Sequence, residues 1–166
     1  MAKFKLKGNP FNTVGNLPAV GSKAPDFNLT KTDLSDLKLS DLKGKRVIFN
    51  ISPSIDTDVC AASVRRFNVE ASKLKGAVVL YVSMDLPFAQ KRFCGAEGLK
   101  DVLPVSDFRT GDFGRAYGVR IADGPMAGLL ARSVMIVDGA GKVVYTQLVP
   151  ETTQEPDYEA AFAALG

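Results

Sequence analysis

Two cysteines, Cys60 and Cys94, stand in a 166-residue chain that contains no histidine. The missing histidine excludes Ser-His and Cys-His nucleophile pairs and histidine-ligated metal sites. Two thiols 34 positions apart do not make a zinc site by themselves. No G-x-x-x-x-G-K-[ST] or G-x-G-x-x-G phosphate loop occurs either. The chemistry left open by these residue types is that of sulfur: attack by a thiolate, oxidation, or disulfide exchange.

Cys60 ends the stretch "PSIDTDVC" (53–60), which follows the apolar "RVIFNIS" and precedes the helical-looking "AASVRRFNVEASKLKG". With Thr57 as N-cap, Cys60 falls in the first turn of a helix. Amide N–H groups there lack partners and carry partial positive charge, a field that favours a thiolate over a thiol. Asp56 and Asp58 oppose it as nearby anions, so an activated sulfur needs a cation. Arg65 and Arg66 lie five and six positions on and point away from the cysteine's stripe, and spacing alone names no other. A second reading is open at this point. Cys60 shares an apolar stripe with Val64, Phe67, Ala71 and Leu74, and free cysteine is among the most buried residue types. Cys94 also reads two ways, as a small apolar residue near a helix end or as a redox partner made movable by Gly95 and Gly98.

The elements that must position these thiols follow from periodicity. Lys3, Lys5 and Lys7 alternate with Phe4 and Leu6, which predicts an N-terminal β-hairpin turning at "GNP" with its lysines outward. A Pro/Gly-rich connection follows, then a short strand, a turn and one helical turn before Gly44. Arg46–Ile51 is a buried strand, 58–75 a helix capped by Gly76, and 77–85 a second buried strand. A short helix starts near Pro87 and ends at Gly95. "LPVSDF" is a short strand, and "TGDFGRAYG" a turn with a helical stub. "ARSVMIVDGAGKVVYTQLV" is a hairpin across "DGAGK", and "EPDYEAAFAALG" a closing helix. This order suits an α/β fold, a central mixed β-sheet flanked by helices on both faces, in a single domain of residues 1–166.

Composition narrows the partners. The chain is 46% apolar and 23% charged with a net charge of +3, which gives no footprint for nucleic acid. No apolar run approaches about 18 residues and no signal sequence is evident, so a soluble, cytoplasmic protein is expected, with no membrane partner. In that compartment a cysteine pair is more often catalytic or redox-active than structural.

Pro53-x-x-x-Thr57-x-x-Cys60 resembles the active-site signature of the peroxiredoxins, P-x-x-x-T-x-x-C. "NISPSIDTDVCAASVRRFN", followed by "KRFC" and later by "LLARSVMIVD", is similar to the thiol peroxidase (Tpx-type) branch of that family. The resemblance runs nearly the whole chain, N-terminal hairpin included. It implies a thioredoxin-like fold and a peroxidase acting on hydrogen peroxide and organic hydroperoxides. Cys60 would be the peroxidatic nucleophile, oxidised to a sulfenic acid. The Thr57 hydroxyl would hydrogen-bond the sulfur and the incoming peroxide, and Pro53 would shield the pocket from water. Arg132 would supply the missing cation and hold the charge developing on the peroxide oxygen.

Cys94 would then attack the sulfenic acid within the same chain. The resulting Cys60–Cys94 disulfide implies local unwinding of both helices and reduction by thioredoxin or a similar dithiol. The resemblance implies a homodimer and no cofactor or metal. Two other readings use the same thiols. A general thiol–disulfide oxidoreductase is disfavoured by the absence of C-x-x-C. A redox-sensing module would oxidise once, whereas a peroxidase turns over.

Overall fold

The computed structural model describes residues 1–165. The alternation of exposed lysines with buried Phe4 builds strand β1 (Lys3–Leu6), which pairs antiparallel with β2 (Asn9–Asn12). The hairpin turns at Lys7 and Gly8 rather than at the expected "GNP". Both residues have positive φ, 51° and 83°, as two-residue hairpin turns require. Pro10 therefore lies inside β2, opposite Lys5.

The central sheet contains β3 (Asn28–Lys31), β4 (Asp36–Lys38), β5 (Arg46–Ile51) and β6 (Ala77–Ser83), joined by β7 (Val102–Ser106), β8 (Ser133–Val137) and β9 (Val143–Leu148). Their spatial order is β4-β3-β7-β6-β5-β8-β9. The middle strands β5, β6 and β7 are parallel, and the outer pairs are antiparallel. Among the described residues four α-helices complete the fold, α1 (Asp58–Ala71), α2 (Pro87–Glu97), α3 (Asp112–Ala116) and α4 (Tyr158–Ala163), and the single turn expected before Gly44 is a 3-10 helix at Leu39–Leu42.

Strand alternation explains why both faces of the sheet are covered. Along β5, Val47, Phe49 and Ile51 enter one apolar cluster with Phe27, Phe113 and Tyr117. Ile48 faces the other way, into a cluster with Val64 and Phe67 of α1 and Ala161 of α4. The first cluster is tied by aromatic rings, with Phe113 and Tyr117 stacked at 4.3 Å between centroids. Within the described residues no helix is long and apolar enough to cross a membrane.

Several boundaries differ from expectation: β6 ends at Ser83 rather than 85, and α4 spans only Tyr158–Ala163. Helix α1 ends at Ala71, because Lys73 N–H bonds to the Glu70 carbonyl and Leu74 N–H to the Ala71 carbonyl, three residues back. The last turn thus tightens before Gly76 while Leu74 stays on the apolar face. Helix α2 passes through Gly95 and stops at Glu97. Gly98, at φ 67°, is the left-handed cap, and the Leu99 N–H closes back onto the Cys94 carbonyl at 3.0 Å. Strand β7 covers 102–106 rather than 103–108.

Candidate active site

Strand β5 delivers the chain to the site. Beyond Ile51, the buried Ser52 and Pro53 lead into a loop ending at Thr57. Thr57 has the extended backbone of an N-cap (φ −109°, ψ 147°), and its carbonyl accepts the first helical bond, from Ala61 N–H at 2.9 Å. The N–H groups of Asp58, Val59 and Cys60 thus belong to the unpaired first turn. Cys60 lies there fully buried, at 0% exposure.

The cation that local spacing left unnamed is Arg132. Its Nη1 donates to Cys60 Sγ at 3.1 Å, and its Nε donates to the Thr152 carbonyl at 2.9 Å. The side chain is 3% exposed, so the guanidinium is held from two sides in a site screened from water. Register accounts for this meeting across the chain. Ile51 at the end of β5 pairs with Ser133 at the start of β8, which sets Arg132 beside the loop that carries the cysteine. A desolvated guanidinium at this distance stabilises negative charge on the sulfur and on an oxygen brought against it.

The two local arginines, expected to point away, are engaged elsewhere. Arg65 grips Glu97 at the end of α2 through two bonds, 2.8 and 3.1 Å, and Arg66 lies over the Tyr158 ring. Asp56 and Asp58 are both exposed to solvent, where water screens their charge, and Arg92 stands 3.6 Å from Asp56.

Pro53 and Thr57 share the loop ahead of Cys60, but Thr57 differs in detail from the expectation. Its hydroxyl donates to the Ser54 carbonyl at 3.0 Å and makes no bond to the sulfur. The loop's own geometry holds that hydroxyl, because Ser54 and Thr57 are the ends of a tight turn closed by Thr57 N–H on the same carbonyl.

Cys94 is not brought to Cys60. Both thiols are free. Cys94 lies toward the end of α2, half-buried, in a shallow cleft of about 340 Å³ beside Thr32, Leu99 and Pro104. Burial pushes its thiol above the ordinary range. A larger cavity of about 610 Å³ opens at the opposite end of β5, among Lys23, Leu39, Lys43 and Val137, and includes none of these residues.

Sequence reasoning missed a set of polar side chains beneath the loop. Asp85 accepts hydrogen bonds from the Ser54 hydroxyl and the Ile55 N–H, each at 2.7 Å. Asn50 donates to Ser63, whose hydroxyl donates to the Cys60 carbonyl. Tyr81, fully buried, is pushed well above the usual phenol range by burial first, with the charges of Cys60 and Asp85 adding. It therefore stays protonated. A signal for Asp85 was present: it stands just past the carboxyl end of a parallel strand, where α/β sheets gather their functional groups. Among the described residues, no three His, Cys, Asp or Glu side chains cluster closely enough to hold a metal ion.

Comparison with known proteins is consistent across the chain. The family model described as Redoxin matches residues 19–162. A thiol peroxidase of Mycobacterium tuberculosis is 60% identical over 166 residues, covering 100% of this chain and 99% of that protein. A thiol peroxidase of Corynebacterium glutamicum is 52% identical over 165 residues, covering 99% of each. The crystal structure of a peroxiredoxin-like protein from Aquifex aeolicus superposes with a TM-score of 0.93 at 42% identity, covering 98% of this chain and 95% of that one.

Proposed function

The chain belongs to the redoxin family, among its thiol peroxidases, and from that premise we propose that Cys60 is the sulfur that meets the peroxide, with Arg132, Thr57 and Pro53 forming its site and Cys94 resolving it. The reaction is thiol-dependent peroxide reduction, and the fold is thioredoxin-like. One observation carries the assignment of Cys60: it is a buried thiol in the first turn of a helix with a guanidinium nitrogen 3.1 Å from its sulfur.

In the first step the Cys60 thiolate attacks the terminal peroxide oxygen. An S–O bond forms and the O–O bond breaks; the hydroxide or alkoxide released takes up the proton that the Cys60 thiol gave up on ionising, which leaves a sulfenic acid and water or an alcohol. Arg132 holds the negative charge as it passes to oxygen. Thr57 turns its hydroxyl from the Ser54 carbonyl toward the peroxide, and Pro53 keeps water from the sulfur.

In the second step Cys94 attacks the sulfenic sulfur. The S–S bond forms and hydroxide leaves as water, with the proton given up by the Cys94 thiol. A thioredoxin-type dithiol then reduces the disulfide by exchange.

The same reading takes residues 1–166 as one thioredoxin-like domain, since one sheet carries both main apolar clusters. It takes the protein as cytoplasmic, where dithiol reductants keep such a cycle running. It also takes the working unit as a homodimer, for which the exposed Leu86 and Phe88 at the start of α2, 52% and 65% accessible, are suitable contact residues.

The test is peroxide consumption coupled to thioredoxin, thioredoxin reductase and NADPH. Cys60→Ser is expected to be inactive. Cys94→Ser is expected to oxidise once and then stop, and wild type given one equivalent of peroxide loses the mass of two hydrogens. Sustained turnover by Cys60→Ser would overturn the assignment.

A further inference from the structure

Asp85 connects the segments that carry the two cysteines. It stands between β6 and α2, and its carboxylate accepts three hydrogen bonds. Oδ2 takes the Ile55 N–H and the Ser83 hydroxyl, and Oδ1 takes the Ser54 hydroxyl, all at 2.7 Å. Ser83 anchors the carboxylate to the sheet, while the other two donors belong to the loop ahead of Cys60. Gln90, fully buried on α2, donates to the same Ser83 hydroxyl at 3.1 Å and to the Val105 carbonyl at 2.9 Å. A continuous set of bonds thus runs from the Cys60 loop to the helix of Cys94.

The two chemical steps make opposite demands on that loop. Attack on peroxide needs Cys60 against Arg132. Disulfide formation needs the two sulfurs about 2 Å apart, yet Cys60 is buried on Arg132 and Cys94 faces the cleft of Thr32 and Pro104. We propose that Asp85 is a positioning residue that holds the 53–57 loop closed over Cys60, and that release of its bonds to Ser54 and Ile55 is the movement that frees Cys60 for Cys94. This rests on the roles proposed above for the two cysteines. Hydrogen bonds to a carboxylate are stronger than neutral ones, which suits a latch between two arrangements of a loop.

The latch has a particular kinetic signature. Weakening it raises the open population, and disulfide formation, which proceeds from the open loop, rises in proportion. Peroxide attack, which proceeds from the closed loop, falls only when the closed form ceases to dominate. A general loss of structure would slow both. A second consequence concerns overoxidation. A sulfenic acid held under the closed loop can attack another peroxide, forming a second S–O bond, breaking the O–O bond and yielding a sulfinic acid plus water or alcohol.

The experiment measures the two rates separately. Sulfenic acid formation is followed by quenched-flow trapping and mass spectrometry in a Cys94→Ser background. Disulfide formation is followed by quenched intact mass with Cys94 present, after one equivalent of peroxide. Ser54→Ala removes one bond to the carboxylate, together with the longer one that the hydroxyl accepts from Asp56 N–H at 3.2 Å, and leaves β6 untouched. It is expected to speed disulfide formation about tenfold, with attack changed by less than about twofold. Asp85→Ala speeds disulfide formation further and slows attack, and Asp85→Asn, which keeps an acceptor for Ile55 N–H, falls between. All three accumulate less sulfinic acid in excess peroxide.

Disulfide formation that is unchanged or slower in Ser54→Ala and Asp85→Ala overturns the latch while leaving the cysteine roles intact. A wild type that forms no Cys60–Cys94 disulfide overturns both. If Asp85→Ala does not fold, Ser54→Ala decides alone.

Discussion

Replacing Arg132 with alanine removes the one cationic side chain that the described residues place in hydrogen-bond contact with the Cys60 sulfur. Its Nη1 lies 3.1 Å from Sγ and its Nε is held by the Thr152 carbonyl at 2.9 Å. Arg65 is bound to Glu97 and Arg66 lies over Tyr158, so neither takes its place. The effect is read at alkaline pH, where a free thiol is ionised with or without a cation beside it, so that the comparison isolates the donor. Loss of the donor that the proposed mechanism turns on the departing peroxide oxygen persists at every pH. Removing one such donor from a buried site costs about 2.7–4 kcal/mol, or 10²- to 10³-fold in rate.

The assay is the second-order rate of Cys60 oxidation in a Cys94→Ser background, from pH 5 to 10, on protein shown to be folded by circular dichroism. The alkaline plateau of Arg132→Ala is expected about 100- to 1000-fold below that of Arg132-containing protein. Arg132→Lys falls between. Its compact ammonium keeps the charge but cannot reproduce the fork that spans sulfur and carbonyl. An Arg132→Ala plateau equal to the reference would refute the reasoning.

Two further outcomes concern pH and stability. Burial raises the Cys94 thiol, so the folded protein keeps that proton to higher pH than the unfolded chain. The associated stability is fully present below the ordinary thiol value of about 8.5 and is lost as pH rises through the raised native value. Melting in reductant should therefore show Cys94→Ser losing less Tm than wild type between about pH 8.5 and 10, and parallel curves would contradict the burial argument. In the core, Phe113 is 1% exposed and stacks on Tyr117. Phe113→Ala is expected to cost about 3–5 kcal/mol in urea unfolding, and a loss under about 1 kcal/mol would show that the cluster repacks around the cavity.

Much of the fold was legible because local patterns report local contacts. The alternation of Lys3, Phe4, Lys5 and Leu6 announced β1, and the β-rich Arg46–Ile51 announced β5. Thr57 and the apolar stripe through Phe67 marked where α1 begins and what it buries. The errors were also local, and they fell where two turn chemistries compete. Gly8 offered a turn that Lys7 shares, and Gly95 offered a helix stop that Gly98 supplies. Within the site, Thr57 was expected on the sulfur, but its hydroxyl bonds within a turn of its own loop.

The sequence by itself determined that this protein works through sulfur. It has two cysteines and no histidine, and it sets one thiol at a helix start behind a signature proline and threonine. Periodicity reaches only three or four residues along a helix and two along a strand, so it could not say what charge would face that thiol. The answer came from the sheet. Antiparallel pairing of Ile51 with Ser133 carries Arg132 to a sulfur 72 positions away. The parallel β5–β6 pair likewise brings Asp85 to the loop ahead of Cys60. Strand order and the burial of paired polar groups depend on how the whole core packs, and only the tertiary structure decides them.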